Sequence, residues 1–370
     1  MMPGALTPRR IAARLFDGLD APLLTIVLLL AGIGLLTLFS ASHDTPSRVT
    51  AQLVNFTVAL VAMWVAAQIP PQTLRRYAVP AYLVGLALLL GVALFGEVVN
   101  GARRWLHVGV ARIQPSEMMK IAMPLMLAWY FERYEATIRL RDFALAGLLL
   151  AVPVMLIARQ PDLGTALLVA AAGFYVIFFA GIGWKVLATL LLLALGSALP
   201  LWGMLHEYQR KRILTLLDPS QDPLGAGYHI IQSTIAVGSG GLAGKGWLHG
   251  TQAHLEFIPE RSTDFIFAVF AEEFGLIGSC VLLLLYALLI VRGLMIAANA
   301  PTFFSRLLAG SITLIYFTYA FVNMGMVSGI LPVVGVPLPF VSYGGTALAT
   351  LFIGIGILMS IQRHPKLVKT

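Results

Sequence analysis

The sequence predicts an all-α polytopic membrane protein. It would have about ten transmembrane helices, both termini cytoplasmic, and one long exocytoplasmic loop between helices seven and eight. Three observations predict it. Of 370 residues, 59% are hydrophobic and only 11% charged, where soluble domains carry about 25% charged residues. The apolar residues recur as long runs from end to end, at a mean hydropathy of +0.87, so the chain is not a soluble domain on an anchor. The basic residues stand in short clusters between the runs, as the positive-inside bias requires. That placement accounts for the net charge of +8 and implies no nucleic-acid partner.

A spanning helix needs about 20 apolar residues. This criterion places spans near 21–41, 50–68, 78–96, 117–131, 142–158, 163–181, 184–204, 264–291, 304–330 and 342–361. Backbone polar groups in hydrocarbon must be satisfied within the segment, so helices are the default. The ten-residue alternation of an outer-membrane barrel has no counterpart in the sequence. Orientation follows from Lys and Arg. Arg9, Arg10, Arg14, Arg75, Arg76, Arg133, Arg139, Arg141, Lys185, Arg292, Arg306, Arg363, Lys366 and Lys369 put fourteen on one side. Arg48, Arg103, Arg104, Arg112 and Arg159 put five on the other. The richer side is cytoplasmic. Arg9-Arg10 resembles a twin-arginine export signal. The run after it is long and lacks a small-residue cleavage site, so a retained first helix is expected. Residues 1–370 read as a single integral membrane domain. Two spans, 264–291 and 304–330, would each cover about 40 Å and must tilt or project from the membrane.

The long connection, about 205–263, has parts. HEYQRKRILTLLDP (206–219) is basic and then apolar, which suits a short helix on the membrane surface. DPSQDPLGAG (218–227) holds two Asp-Pro turns. YHIIQSTIAV (228–237) has Tyr228, Ile231 and Ile235 at helical spacing. GSGGLAGKGWLHG (238–250) reads as flexible and glycine-rich. It fails the P-loop test: the required glycine position holds Ser239, and Gly246 follows Lys245. The single cysteine, Cys280, lies in an apolar run and reads as a small core residue. The seven histidines form no close-spaced ligand set. A metal remains an unknown; a loosely held divalent cation, Mg²⁺ or Mn²⁺, is compatible with a diphosphate substrate.

Several polar residues stand at the lips of apolar runs, where a charge is costly and invites a functional explanation. In QPSEMMK, Glu117 and Lys120 are three apart and share a helix face. They fit either a structural ion pair or a cation presented to a diphosphate, with Arg112 on the rim one turn outside. In RQPDLGT, Asp162 sits where a helix starts, so it fits an N-cap, and Arg159 beside it is placed to meet an anionic headgroup. Asp264 follows Thr263 at another helix start. It is either a cap or, crowded by Glu260 and Arg261, a general base at the mouth of a cavity. Glu272 lies about 12 Å further along, and Glu273 faces away; both fit buried acids bonded to neighbouring helices. GMVSGILPVVGVPLPFVSYGG (325–345) is irregular at membrane depth, which is tolerated where backbone is buried or lines a cavity. It reads as a cavity wall offering Ser342 and Tyr343 as polar contacts.

The runs QPSEMMK, RQPDLGTALLVA, DPLGAGYHIIQS, GKGWLHGTQ, EFIPERSTDFIFAVFAEEFG and GILPVVGVPLPFVSYGG are spread over nearly the whole chain. Together they resemble the SEDS family (shape, elongation, division and sporulation), and most closely its rod-shape elongation branch. The resemblance implies a ten-helix fold in the bacterial cytoplasmic (inner) membrane. It implies a peptidoglycan glycosyltransferase that polymerises lipid II on the outer face, with undecaprenyl pyrophosphate leaving. It implies Asp264 as the catalytic residue, and Glu117, Lys120 and Asp162 as site residues. It implies a class B penicillin-binding transpeptidase, within the elongation machinery, as partner. Ser262 stands where some relatives have histidine and is assigned no role. On composition alone two rivals fit as well: a lipid II flippase and a non-catalytic scaffold for the transpeptidase. The singled-out polar residues gather toward one mouth, where a transporter wants them at both depths.

Overall fold

The computed structural model describes residues 18–364, except 43–44, 100–101, 109–110, 198–199, 201, 204–206, 223–224, 256 and 259. Arg9, Arg10, Arg14, Lys366 and Lys369, part of the orientation count, lie outside the described residues. Every expected span contains a helix. They are α1 Ala21–Ala41, α2 Pro46–Gln68, α3 Pro71–Phe95, α4 Pro115–Arg133, α5 Leu140–Arg159, α6 Leu163–Phe179 and α7 Trp184–Gly196. The long connection adds α8 Glu207–Leu217, α9 Ala226–Ser239 and a single turn at Thr251–His254; then follow α10 Ile266–Ala298, α11 Phe303–Val327 and α12 Thr346–Arg363. Among the described residues seven helices are long and apolar enough to cross a membrane. α6 and α7 are apolar but shorter, at 17 and 13 residues, and α4 carries Glu117, Lys120, Glu132 and Arg133 in its 19 residues.

Local chemistry sets the helix starts. Asp20 caps α1 by accepting from Leu23 N at 2.9 Å, with Pro22 in the first turn. Thr302 caps α11 through Ser305 N at 3.1 Å. α1 is apolar all round: Leu23, Val27, Leu30 and Leu38 are buried while Leu28, Leu29, Leu36 and Phe39 are exposed. That distribution suits a helix between a protein core and lipid. The core sits on α11, whose most apolar stretch is 83% buried, against 22–61% for the other long apolar helices. α12 lies along α2, where Gly356 lets the backbones meet; a Cβ there would stand 2.3 Å from Met63 O.

Three findings correct the expectations. First, the chain is not all-α. Between α3 and α4 it forms a small antiparallel sheet, order β1-β2-β3, of Glu97–Val99, Ala102–Val108 and Ala111–Ile113. Val, Trp and Ile in short runs around the dipeptides Asn100-Gly101 and Gly109-Val110 are a hairpin signal, hidden by the stronger helical signal on both sides. Second, Cys280 is exposed on the outer face of α10, not in the core. Apolar sequence cannot tell a lipid-facing position from a buried one.

Third, 238–250 is an ordered plug. α10 breaks at Gly275, at φ 64° and ψ −160°, a conformation restricted to glycine. The break frees backbone groups that need partners, and the glycine loop supplies them. Leu276 N donates to Gly241 O at 2.9 Å and Ile277 N to Leu242 O at 3.1 Å. From the loop, Lys245 N donates to Glu272 O and Gly246 N to Glu273 O, both at 3.0 Å. Gly244 must lack a side chain, since a Cβ would lie 2.1 Å from Glu273 O. The break also changes the expected single long span into two helical segments, the first beginning at Ile266, two residues after Asp264.

Candidate active site

Asp264 sits in a turn that α10 does not include. The helix starts at Ile266, so Asp264 is not its cap. The turn is built around Glu260, whose carbonyl accepts from Thr263 N at 3.0 Å and Phe265 N at 3.3 Å. Three successive carbonyls of the turn are then held by three donors from elsewhere. Tyr343 N donates to Ser262 O at 2.9 Å. Ser342 Oγ donates to Thr263 O at 2.6 Å. Asn323 Nδ2 donates to Asp264 O at 2.8 Å and also to Val336 O at 2.8 Å. Arg48 adds a bond to Ser262 Oγ at 2.9 Å, and Arg261 one to Ala41 O at 2.7 Å. The main chain of Asp264 is fixed.

Its side chain is uncommitted. Among the described residues the half-buried Asp264 carboxylate accepts no hydrogen bond. Its nearest constraint is Gly335, at φ 71°, where a Cβ would stand 3.3 Å from Asp264 Oδ2. Burial first, and the Glu260 carboxylate second, push the Asp264 carboxyl up to about 6, while Arg104 and Arg212 pull the other way. A carboxylate of that basicity, rigidly carried and free of partners, is suited to take a proton from a hydroxyl.

The other expected site residues fall into three groups. Asp162 is the N-cap of α6, accepting from Thr165 N at 3.1 Å, and also accepts from Gln114 Nε2 at 3.3 Å. Arg104, on β2, stands 3.9 Å from Asp162 and donates to Pro161 O at 2.9 Å. Arg104 therefore joins the Asp162 corner to the field around Asp264. Glu117 and Lys120 form the expected pair on α4, at 2.6 Å, and Lys120 also donates to the buried Tyr319 hydroxyl. Glu117 Oε2 is buried with no hydrogen-bond partner among the described residues, an open position for a donor. Arg112 is exposed on β3, opposite His107. Ser342 is buried and engaged on both sides, since it also accepts from Leu338 N at 2.8 Å; it positions the turn. Tyr343 contributes its backbone N–H there and keeps its half-buried ring.

Glu272 and Glu273 are both engaged within the protein, Glu273 by a neighbouring helix as expected and Glu272 by the 245–252 connection instead. Glu272 accepts from Lys245 Nζ at 2.7 Å, Thr251 Oγ1 at 3.0 Å and Gln252 N at 3.1 Å, and Glu273 accepts from Ser40 Oγ. Sequence reasoning passed over Arg104, Arg212, Asn323 and His229, whose ring stacks on Phe265 at 5.5 Å. Asn323 was findable: an amide inside a 25-residue apolar helix needs a partner. In the sequence Arg104 counts only toward orientation. Among the described residues no three His, Cys, Asp or Glu side chains gather to hold a metal.

The model of the cell cycle protein family of FtsW, RodA and SpoVE matches residues 21–367. Peptidoglycan glycosyltransferase MrdB of Escherichia coli (strain K12) is 52% identical over 351 residues, 95% of this chain and 95% of that protein. A chain from a study of structural coordination of polymerization and crosslinking by a peptidoglycan synthase complex superposes with a TM-score of 0.81. It is 35% identical, covering 93% of this chain and 98% of that one. Rod shape determining protein RodA of Thermus thermophilus superposes with a TM-score of 0.70 at 30% identity, covering 93% and 97%.

Proposed function

This chain belongs to the FtsW, RodA and SpoVE family of cell cycle proteins, the SEDS family, and on that premise we propose that it is a peptidoglycan glycosyltransferase. Its substrate is lipid II, polymerised during cell elongation on the outer face of the bacterial cytoplasmic membrane. In this reading the chain is one domain, ten helices span the membrane, both termini are cytoplasmic, and the connection around 205–263 is exocytoplasmic. The partner is a class B penicillin-binding transpeptidase. The similarity to a chain of a peptidoglycan synthase complex supports that pairing.

The Asp264 carboxylate takes the proton from the 4-hydroxyl of the acceptor's N-acetylglucosamine. The oxygen attacks the anomeric carbon of the donor's N-acetylmuramic acid. The bond to undecaprenyl pyrophosphate breaks, its electron pair leaves with the diphosphate, and the anomeric centre inverts. At a pKa of about 6 the carboxylate is about nine-tenths ionised at pH 7 and a far better base than an aspartate at about 3.9. Arg104 and Arg212, the cations whose fields reach Asp264, are suited to stabilise charge on the leaving group. Lys120 is occupied by Glu117 and Tyr319 and ties α4 to α11. A divalent cation, Mg²⁺ or Mn²⁺, belongs to this reading only as a companion of the diphosphate. The described residues gather no ligand set for a resident ion, and no step depends on one.

The observation that carries the reading is a carboxylate whose backbone is held at three carbonyls while its side chain stays free. The test is Asp264→Asn in purified, folded protein. Loss of lipid II polymerisation is expected; a wild-type rate would refute the base role. The flippase rival would draw on a broken helix, but the break at Gly275 is filled by the chain's own 240–246 backbone. Glycan formation by the isolated chain, insensitive to moenomycin, separates the enzyme from both flippase and scaffold.

A further inference from the structure

A groove of about 290 Å³ opens between α3 and α5, and its lining does not include the turn of Asp264. Its walls are Leu86 and Leu90 of α3 and Val152, Met155 and Leu156 of α5; the sixth lining residue is Arg159. On α5 these positions fall at i, i+3, i+4 and i+7, one helix face. Arg159 is the last residue of the helix, so the single charge caps one end of an apolar trough about 10 Å long. Arg159 is exposed and makes no hydrogen bond or ion pair among the described residues.

The trough is held open. Tyr82 Oη donates to Leu149 O at 2.8 Å on one side of it. Gln160 Nε2 donates to Leu89 O at 3.1 Å on the other. The first bond lies before the lining residues on both helices, and the second joins Leu89, between Leu86 and Leu90, to the residue just past Arg159, so α3 and α5 are stapled at a fixed spacing. A preformed apolar channel ending in an unsatisfied guanidinium complements a ligand with a long apolar chain and an anionic head.

We propose that the α3–α5 groove holds the first isoprene units of the lipid-linked donor's polyprenyl chain, those next to its head, with Arg159 on the diphosphate. An ordinary anionic phospholipid has the same two chemistries, and continuity with the site decides between them. Arg159 stands two residues before Pro161, whose carbonyl is held by Arg104, and the field of Arg104 reaches Asp264. A diphosphate on Arg159 therefore lies on the rim that leads to the reacting centre. The inference rests on the glycosyl-transfer reading for the identity of the donor.

The test uses the full chain in detergent, with undecaprenyl diphosphate as probe and phosphatidylglycerol as competitor, read by native mass spectrometry. Arg159→Gln should weaken undecaprenyl diphosphate binding about tenfold, the scale of one lost charge-assisted bond, and Arg159→Lys should retain most of it. Val152→Trp, which fills the trough, should weaken it comparably, with melting temperatures unchanged. Phosphatidylglycerol in excess should not displace the probe. Unchanged binding in both Arg159→Gln and Val152→Trp, or equal displacement by phosphatidylglycerol, would overturn the proposal. Lipid II kinetics keep the two readings apart. A wild-type protein that polymerises, with KM unaltered in both variants, removes the groove and keeps the enzyme. A wild-type protein that binds the diphosphate through Arg159 but never polymerises keeps the groove and removes the enzyme.

Discussion

The ionisation of Asp264 is the residue-scale feature with the clearest consequence. In the proposed mechanism the reactive form is the carboxylate, so kcat/KM should fall about tenfold per pH unit below about 6 and level off above 7. The causes of the shift give the signs of its mutants. Glu260 raises the value, so Glu260→Gln should move the inflection to lower pH. Arg104 lowers it, so Arg104→Gln should move the inflection up. A pH–rate profile that stays put in both variants would assign the titration to another group. Ser342→Ala removes the donor to Thr263 O and the acceptor of Leu338 N. Leaving those buried groups unpaired should cost about 1–3 kcal/mol, read as a lower melting temperature, with kcat reduced and the pH inflection unmoved. The identity of Asp264 was legible in the sequence as an acid at the lip of an apolar helix. The donors that fix it were not, because Asn323 and Ser342 reach the turn from 59 and 79 positions away and no local pattern announces such a pairing.

At the scale of elements, the helices were readable and their interruption was not. Runs of apolar residues longer than a membrane is thick leave little choice of structure. A lone glycine within such a run reads as a tolerated cost of about 1 kcal/mol, so Gly275 gave no warning. The loop that fills the break lies some thirty positions upstream and resembles a linker when read by composition alone. The structure makes a definite prediction. Gly275→Ala should destabilise the protein by about 1–3 kcal/mol and raise hydrogen exchange at 240–246, because that loop loses its partners when the helix straightens. Unchanged exchange there would mean that the loop is held by something other than the break. The small sheet was missed for a related reason: three short strands between long helices carry little weight until their pairing is seen.

At the scale of the molecule, the predicted orientation can be tested directly. In a Cys280→Ser background, Ser220→Cys should react with a membrane-impermeant maleimide added to intact cells. Glu135→Cys, between α4 and α5, should react only after the cells are opened. The reverse pattern would invert the reading. Composition reached the largely helical architecture because apolar runs are properties of whole segments. It could not divide lipid-facing from buried positions, and Cys280 is the case in point. The hold on the Asp264 turn has a consequence for genetics. Its three donors come from α11 and from the Pro/Gly segment before α12, so the geometry of one carboxylate is encoded at scattered codons. A random screen for inactive alleles would collect Asn323 and Ser342 beside Asp264, and their loss would mimic a chemical defect although neither need touch a sugar.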